Sequence, residues 1–370
     1  MRLPAPNTLA IVGAGPVGLE AAAAALDHGF DVHVFEQGEV GSHPIAWGHV
    51  RMFTPWSANL GPRARVRLEA AGWTAPDPDA RPTGLELAER YLEPLASLPE
   101  LKERVHTFAQ VVAVSRHGLR RDEGDAEERR ARPFRLLVRD QGGRENVLHA
   151  FSVIDASGVY TNPDWAGTGG IPARSEAYLR PQVSYHVTDV LGLDRDRYAG
   201  RRTLVIGGDT CAAIVIADLA RLTEEAEGTV ACWITREPVD RLGARAGDAI
   251  EPRRELWERA RALARGAVPA IAHVGGAEVE GFEFNSATHR YRVELTIGAE
   301  TRVEEADRVV VLAGFAPDPA LALRADEPQG FTLGHKACGR DPDFLLETGY
   351  RQVERAIARL AAEARAAARA

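Results

Sequence analysis

The segment TLAIVGAGPVGLEAAAAALDHGFDVHVFEQ, residues 8–37, constrains the fold of this chain more than any other feature. A short apolar run at residues 9–12 leads into a glycine-rich turn, and an alanine-rich stretch follows the turn. A second apolar run at residues 31–35 ends at Glu36. This order, within about 30 residues, is typical of a strand–helix–strand unit that binds a dinucleotide.

Each glycine of the turn GAGPVG has a physical reason to be there. Gly13 permits a tight turn, Gly15 lets backbone amides approach a diphosphate, and Gly18 lets the helix pack closely on the strand. The helix N-terminus favours negative charge, and Glu36 lies where a carboxylate accepts hydrogen bonds from ribose hydroxyls. The predicted contacts of this first nucleotide are Gly13, Gly15, Pro16, Val17, Gly18 and Glu36.

The same plan recurs in RRTLVIGGDTCAAIVIADLARL at residues 201–222, and the strand-like GTVACWITR follows at residues 228–236. The glycine pattern is incomplete here, because the turn offers Gly207, Asp209 and Ala212. The Asp209 side chain would occupy space that a diphosphate needs, and its charge would repel phosphate. One such charge pair at about 4 Å costs roughly 1 kcal/mol in water and about 4 kcal/mol at an effective dielectric constant of about 20.

Each copy later reaches a strand-rich stretch, at residues 133–158 and at residues 289–315. Both are predicted to form hairpins followed by a buried strand that ends in a small residue and a glycine. The charged stretch at residues 120–133 is expected to be an exposed hairpin turn or loop between sheet strands. The end of the chain is predicted to be a helix whose core face carries Tyr350, Val353, Ile357 and Leu360.

These motifs, in this order, resemble the two-dinucleotide-binding-domain flavoproteins, which include thioredoxin-reductase-like enzymes and flavin-containing monooxygenases. The resemblance lies in GAGPVG with Glu36, VIDASG at residues 153–158, VIGGDTCAA at residues 205–213 and VVLAGFAPD at residues 310–318. It implies an α/β fold: a Rossmann-like FAD-binding domain with an inserted, smaller NAD(P)-binding-like Rossmann domain. The predicted FAD-binding domain is discontinuous, at residues 1–195 and 306–370, and the inserted domain is residues 196–305.

The resemblance also implies roles for single residues. Gly13, Gly15, Gly18 and Glu36 would hold the ADP part of FAD, and Gly158 would approach the cofactor closely. The helix that begins near Phe344 would point at the flavin ring, although the ending GHKACGRDPDFLLETGYRQV departs from the family's GD-containing closing motif. A helix N-terminus in that place would stabilise negative charge on reduced flavin.

The second site of such proteins would hold NADPH or NADH, and the sequence supports two interpretations of Asp209 there. Either Asp209 weakens the nucleotide site, or it caps the helix that begins beside it, a position that favours aspartate. Arg236 follows the second strand of this copy, where an arginine can contact a ribose 2′-phosphate. The candidate contacts are Gly207, Asp209, Thr210, Cys211 and Arg236.

The segment AWGHVRMFTPWSANLGP, residues 46–62, is rich in aromatic rings and has a few polar groups, a composition that suits a pocket beside a cofactor. Trp47 and Arg51 are therefore predicted to lie near the flavin. The sequence identifies no single general base. The catalytic candidates are His49, Arg51, His186 and Lys336.

Three functions are compatible with these motifs. The first is an NAD(P)H-dependent, flavin monooxygenase-like oxidoreductase acting on a small molecule, and the second is an FAD oxidase or dehydrogenase reduced by its own substrate. The third is a non-catalytic flavin-binding protein. Disulfide reduction is disfavoured, because the three cysteines are widely spaced and form no CxxC pair.

The charge and hydropathy of the sequence exclude some classes of binding partner. The net charge is −8 and no long basic block is present, so a nucleic acid partner is not expected. No apolar run approaches the roughly 20 residues of a membrane span, and no signal peptide precedes the first strand. We therefore expect a cytoplasmic protein with no membrane partner and no metal.

Overall fold

The computed structural model describes residues 4–243, 248–321, 323–341 and 344–367. The chain forms two compact units: unit 1 comprises Met1–Thr161 and Ala316–Ala370, and unit 2 comprises Asn162–Phe315. Both units have a parallel sheet with flanking helices, so the predicted α/β fold, with a second nucleotide-binding-like module inserted into the first, is confirmed. Unit 2 is longer at both ends than the predicted domain at residues 196–305, because the preceding segment and the last parallel strand pack within it.

The strands in the described part of the chain are named here in chain order. They are β1 (Thr8–Val12), β2 (Asp31–Phe35), β3 (Val105–His106), β4 (Ala109–Arg116), β5 (Phe134–Asp140), β6 (Glu145–Ala150), β7 (Ser152–Asp155), β8 (Arg202–Ile206), β9 (Val230–Thr235), β10 (Ile271–Gly275), β11 (Ala277–Asn285), β12 (Arg290–Ile297), β13 (Glu300–Ala306), β14 (Arg308–Val311) and β15 (Gly330–Thr332).

The α-helices of the same residues range from single turns to the long C-terminal helix. They are α1 (Pro16–Asp27), α2 (Ser42–Ala46), α3 (Trp56–Asn59), α4 (Pro62–Ala70), α5 (Gly84–Leu87), α6 (Glu93–Ala96), α7 (Pro99–Lys102), α8 (Ala126–Arg130), α9 (Glu176–Leu179), α10 (Arg195–Tyr198), α11 (Thr210–Glu225), α12 (Glu251–Ala264) and α13 (Leu346–Ala367). None of these described helices is both long enough and apolar enough to cross a membrane.

Shorter helical segments connect several of these elements. A π-helical turn spans Ala88–Leu92, and 3-10 turns span Thr168–Gly170, Arg180–Gln182, Val239–Arg241, Pro319–Leu321 and Gly334–Cys338.

Unit 1 is built on a parallel sheet with the strand order β15-β7-β1-β2-β3. Helices α1, α4 and α13 pack together beside the sheet, and an antiparallel sheet of β4, β5 and β6 completes the unit. The predicted core face of the C-terminal helix is confirmed, since its members are all buried: Tyr350, Val353, Ile357 and Leu360.

Unit 2 repeats the plan on a smaller scale. Its parallel sheet has the order β10-β9-β8-β14, with α11 and α12 packed together, and β11, β12 and β13 form an antiparallel sheet. In both units a hairpin precedes a buried parallel strand, β5–β6 before β7 and β12–β13 before β14. The predicted hairpin-then-strand order is therefore confirmed in each copy.

The charged stretch at residues 120–133 connects β4 to β5, but it is not wholly exposed as expected. Arg129, in α8, is buried, and its Nη2 lies 2.6 Å from Oε2 of the buried Glu327. Arg116 Nε donates to the other oxygen of the same carboxylate at 2.8 Å. No local sequence pattern indicates this contact, because Glu327 is 198 positions from Arg129.

Removing the shared carboxylate tests this buried cluster. Glu327→Ala leaves two buried guanidinium groups without their counter-charge, so the free energy of unfolding should fall by about 3–5 kcal/mol. Asp326→Ala is the matched control, because Asp326 pairs with Arg324 in solvent and should change little. Guanidinium unfolding of the three proteins measures both effects, and equal stability of the two variants would contradict the assignment.

Candidate functional site

The turn after β1 is held in a conformation that requires glycine. Gly13 has φ of +100°, and a Cβ atom on it would lie 2.7 Å from the carbonyl oxygen of Ala156. Its amide donates to the carbonyl of Phe35 at 2.8 Å. The turn is therefore fixed between the ends of β2 and β7, at the carboxyl edge of the sheet where open α/β folds bind ligands.

Helix α1 starts against this turn. A Cβ atom on Gly18 would lie 1.9 Å from the Gly13 carbonyl oxygen, so only glycine allows the observed packing. Gly15 is different, because a Cβ atom there would meet nothing within 4 Å. Pro16 and Val17 then open the helix, whose first-turn amides have no intrahelical acceptor. Open space beside unsatisfied amides is what a diphosphate needs, and the residues present fit that group.

Glu36 lies directly after β2 and is buried. One carboxylate oxygen accepts from the Ala14 amide at 2.8 Å, and the other accepts from the Gly38 amide and the Ser42 hydroxyl, each at 3.0 Å. The acid is thus fixed beside the turn that carries Gly13 and Gly15. Ser42 is a member of this site that sequence reasoning missed.

His43, which lies beside the residues that follow β7, is a second site residue that sequence reasoning missed. Gly158 has φ of +71°, and a Cβ atom on it would lie 3.4 Å from Nδ1 of His43. The His43 ring lies 5.6 Å from the Tyr160 ring. Because Ala156 lies against Gly13, Gly158 and His43 lie at the same sheet edge as the glycine-rich turn at residues 13–18, called the fingerprint turn below.

Lys336, predicted as a catalytic candidate, is buried in unit 1. Its Nζ lies 2.7 Å from Oδ2 of Asp155 and 3.3 Å from the Ser157 hydroxyl, and both charged side chains are almost completely enclosed, with 3% and 2% exposure. Asp155 was missed, although a carboxylate within the apolar run VID is a signal that sequence inspection offers.

Phe344 precedes α13, and its ring stacks on His335 with a centroid distance of 5.3 Å. A Cβ atom on Gly349 would lie 2.6 Å from a methyl group of Val17. The start of α13 therefore packs against the start of α1. Burial lowers the pKa of His335, which favours its neutral form.

The aromatic segment after α2 makes different contacts. Trp47 packs against Gly84, on which a Cβ atom would lie 2.4 Å from the indole ring. Arg51 donates to the carbonyl of Arg81 and lies 3.7 Å from a carboxylate oxygen of Glu86. His49, which follows Trp47, is exposed. These contacts join the segment to residues 81–86, and its predicted role beside flavin stays a prediction.

Unit 2 has the same turn geometry. Gly207 has φ of +137°, its missing Cβ would lie 1.8 Å from the Leu312 carbonyl oxygen, and its amide donates to Ile234 at 3.0 Å. The Gly207–Ile234 bond corresponds to the Gly13–Phe35 bond of unit 1. Counting onward from these bonds, Asp209 corresponds to Gly15, and Thr235 corresponds to Glu36.

Asp209 is the N-cap of α11, as one interpretation of the sequence predicts. Its Oδ1 accepts from the Ala212 amide at 3.0 Å, and Thr210 and Cys211 form the first turn behind it. Burial raises the pKa of Asp209 to about 6. The cap carboxylate lies at the helix N-terminus, where an anion would bind, so a diphosphate would meet a negative charge here that the unit 1 turn lacks.

Arg236 and His186, the other predicted residues of unit 2, contact different parts of that unit. Arg236 donates to the carbonyls of Ala166 and Gly167 at 3.1 and 2.6 Å. The His186 ring lies 5.8 Å from the Phe315 ring. The described residues contain no cluster of three or more His, Cys, Asp or Glu side chains that could hold a metal ion.

Comparison with known proteins gives the fold a name. No family model matches the chain, and no curated protein matches it. Solved structures do. The bacillithiol disulfide reductase Bdr of Bacillus cereus is 19% identical, with 96% of this chain and 99% of that chain covered and a TM-score of 0.71.

Two further structures extend the likeness. The ornithine hydroxylase PvdA of Pseudomonas aeruginosa is 17% identical, with 96% and 98% coverage and a TM-score of 0.66. The thioredoxin reductase of T. acidophilum is 16% identical, with 96% and 99% coverage and a TM-score of 0.58. The chain therefore has the fold that these three proteins share. The resemblance predicted from the motifs is confirmed at the level of the fold.

Gly15 allows a test of the first nucleotide site that spares the fold. Its φ is −85° and its surroundings are open, so Gly15→Asp should leave the stability of the apoprotein within about 0.5 kcal/mol of wild type. A carboxylate facing a diphosphate should weaken FAD binding at least about tenfold. Gly15→Ala, which adds only a methyl group, is the control and should weaken binding less. Equal FAD affinity in all three proteins, measured by flavin fluorescence titration, would contradict the site.

Asp209 should make the stability of the protein depend on pH. A native pKa of about 6, against 3.8 ordinarily, means that the folded state holds this proton more tightly. The stabilising contribution of the protonated carboxyl is complete below pH 3.8 and is lost as pH rises to about 6. Asp209→Asn keeps a capping side chain without the charge, so its stability relative to wild type should increase across this window. The free energy of unfolding is measured by chemical denaturation at each pH. A stability difference between Asp209→Asn and wild type that is the same at every pH would contradict the assignment.

Proposed function

We propose that unit 1 binds FAD and that the protein is an FAD-dependent oxidoreductase. The observation that carries the proposal is the combination of Gly13, Gly15 and Gly18 with Glu36 at one sheet edge. The open space at Gly15 suits the diphosphate, and the carboxylate of Glu36 suits ribose hydroxyls. Among the similar structures, the cadaverine monooxygenase DfoA of Erwinia amylovora is bound to FAD.

When bound, FAD supplies the redox chemistry, and the residues of the chain supply binding and electrostatics. Amides at the start of α1 would face the diphosphate, and Glu36, held by Ala14 and Ser42, would accept hydrogen bonds from the ribose. Gly158, which has no side chain, would let the cofactor lie close to the end of β7. Phe344 and the start of α13 would border the flavin end of the cofactor.

The reaction we favour is NAD(P)H-dependent, monooxygenase-like oxidation of a small molecule. The similar structures include an ornithine N-hydroxylase of Kutzneria with reduced FAD, NADP+ and L-ornithine, which covers 96% of this chain. Cys211 and Cys232 are poor candidates for a reactive cysteine pair, because burial raises the pKa of Cys232 to about 11 and also raises that of Cys211. Free cysteines suit the reducing cytoplasm that the sequence favours.

A second candidate function is favoured by Asp209. With a carboxylate at the start of α11, the position equivalent to Gly15 repels a diphosphate, and NAD(P)H would bind weakly. The flavin would then be reduced by the protein's own substrate, with unit 2 retained as a scaffold. Both functions place FAD in unit 1.

Anaerobic mixing with NADPH or NADH distinguishes these two functions. Rapid bleaching of the flavin absorption band supports the monooxygenase-like enzyme, and no bleaching by either nucleotide supports the substrate-reduced enzyme. Asp209→Asn should accelerate bleaching about tenfold or more at low nucleotide concentration, since it removes the repelling charge and keeps the cap. A protein that takes up no FAD would contradict both functions.

A further inference from the structure

A buried ion pair lies at the end of β7, where the fold does not require one. Asp155 is opposite Val12 in the parallel pair of β7 and β1. In unit 2 the corresponding residue opposite Ile206 is Val311, an apolar side chain. The second copy of the plan thus forms the same strand pair without a charge, so backbone pairing alone does not explain Asp155.

The partner of Asp155 comes from a different part of unit 1. Lys336 lies in the 3-10 turn Gly334–Cys338, which follows β15 and packs by Gly334 against Val17, where a Cβ atom would lie 3.5 Å from the valine side chain. The two charges are 2.7 Å apart and buried. Burying such a pair costs several kcal/mol of desolvation, and apolar residues of similar size are often as stable or more stable.

Ser157 connects the Asp155–Lys336 pair to the fingerprint turn. Ser157 donates from its hydroxyl and its amide to Oδ1 of Asp155, at 2.6 and 3.1 Å, and the Lys336 Nζ lies 3.3 Å from the same hydroxyl. The Cα atom of Ser157 would be 3.0 Å from a Cβ atom on Gly13. Gly158, with its left-handed backbone, follows directly. The two charges therefore flank the backbone that borders the nucleotide edge.

We propose that Lys336 and Asp155 are positioning residues of the FAD site, and that their opposite charges set the balance between oxidised and reduced flavin. The inference rests on the proposed function, since it requires FAD in unit 1. Reduced flavin carries more negative charge than oxidised flavin. Lys336 therefore favours the reduced form, and Asp155 opposes Lys336 while holding Ser157 and Gly158 in place.

Single charge removals test this inference with a readout that a structural role would not move. Lys336→Gln leaves the Asp155 carboxylate unopposed, so the flavin midpoint potential should fall. Asp155→Asn leaves the Lys336 ammonium unopposed, so the midpoint potential should rise. In each case the ratio of the dissociation constants for oxidised and reduced FAD should change about tenfold, in opposite directions.

Two variants serve as controls in this experiment. Lys336→Arg keeps the positive charge and should retain a midpoint potential close to that of wild type. Asp326→Asn removes one charge of an exposed ion pair in the same unit and should leave the potential unchanged. Potentials are measured by equilibration with a reference dye, and FAD dissociation constants by fluorescence titration.

The outcomes separate this inference from the proposed function. Wild-type protein that takes up no FAD overturns both. If wild type binds FAD and the two charge removals shift the potential in the same direction or not at all, the pair is structural and only the inference is overturned. If the single variants do not fold, Asp155→Leu with Lys336→Met provides the test: it should be at least as stable as wild type and bind FAD about tenfold more weakly. Unchanged FAD affinity in that double variant overturns the inference.

Discussion

Helix α1 begins in direct contact with the turn that ends β1, and unit 1 is arranged around that contact. The close approach of Gly18 to the Gly13 carbonyl oxygen is possible only because Gly18 has no side chain, and the turn itself requires the positive φ of Gly13. The Gly13 amide is bonded to β2, and a Cβ atom on Gly13 would strike the residue after β7. One backbone geometry thus brings the ends of three strands and the start of a helix to a single edge, and the proposed cofactor chemistry depends on it.

The two units use this geometry for different local chemistry. Where unit 1 has Gly15 beside open space, unit 2 has the capping carboxylate of Asp209. Where unit 1 has Glu36, unit 2 has Thr235, whose hydroxyl donates to the carbonyl of Glu237 at 2.6 Å. The two units share the turn and the strand pairing, but the side chains at the positions that would contact a nucleotide differ. A shared fold therefore does not imply a shared ligand.

The sequence predicted what local pattern determines. The glycine spacing predicted α1 with its flanking strands, and helical periodicity predicted the buried face of α13 at Val353 and Ile357. The N-cap role of Asp209 could also be predicted, because a capping residue acts within its own helix turn. Contacts between distant segments could not be predicted from the sequence. Lys336 meets Ser157 across 179 positions, and Arg116 meets Glu327 across 211 positions, where neither periodicity nor turn chemistry carries information.

We propose that the start of α1 binds the diphosphate of a flavin nucleotide, and a crystal structure of the protein soaked with FAD would test this proposal. We expect phosphate oxygens within hydrogen-bond distance of the backbone amides at the start of α1, and a ribose hydroxyl on the carboxylate of Glu36. FAD density at any other place in the chain, with the turn at Gly15 in contact with solvent alone, would contradict it.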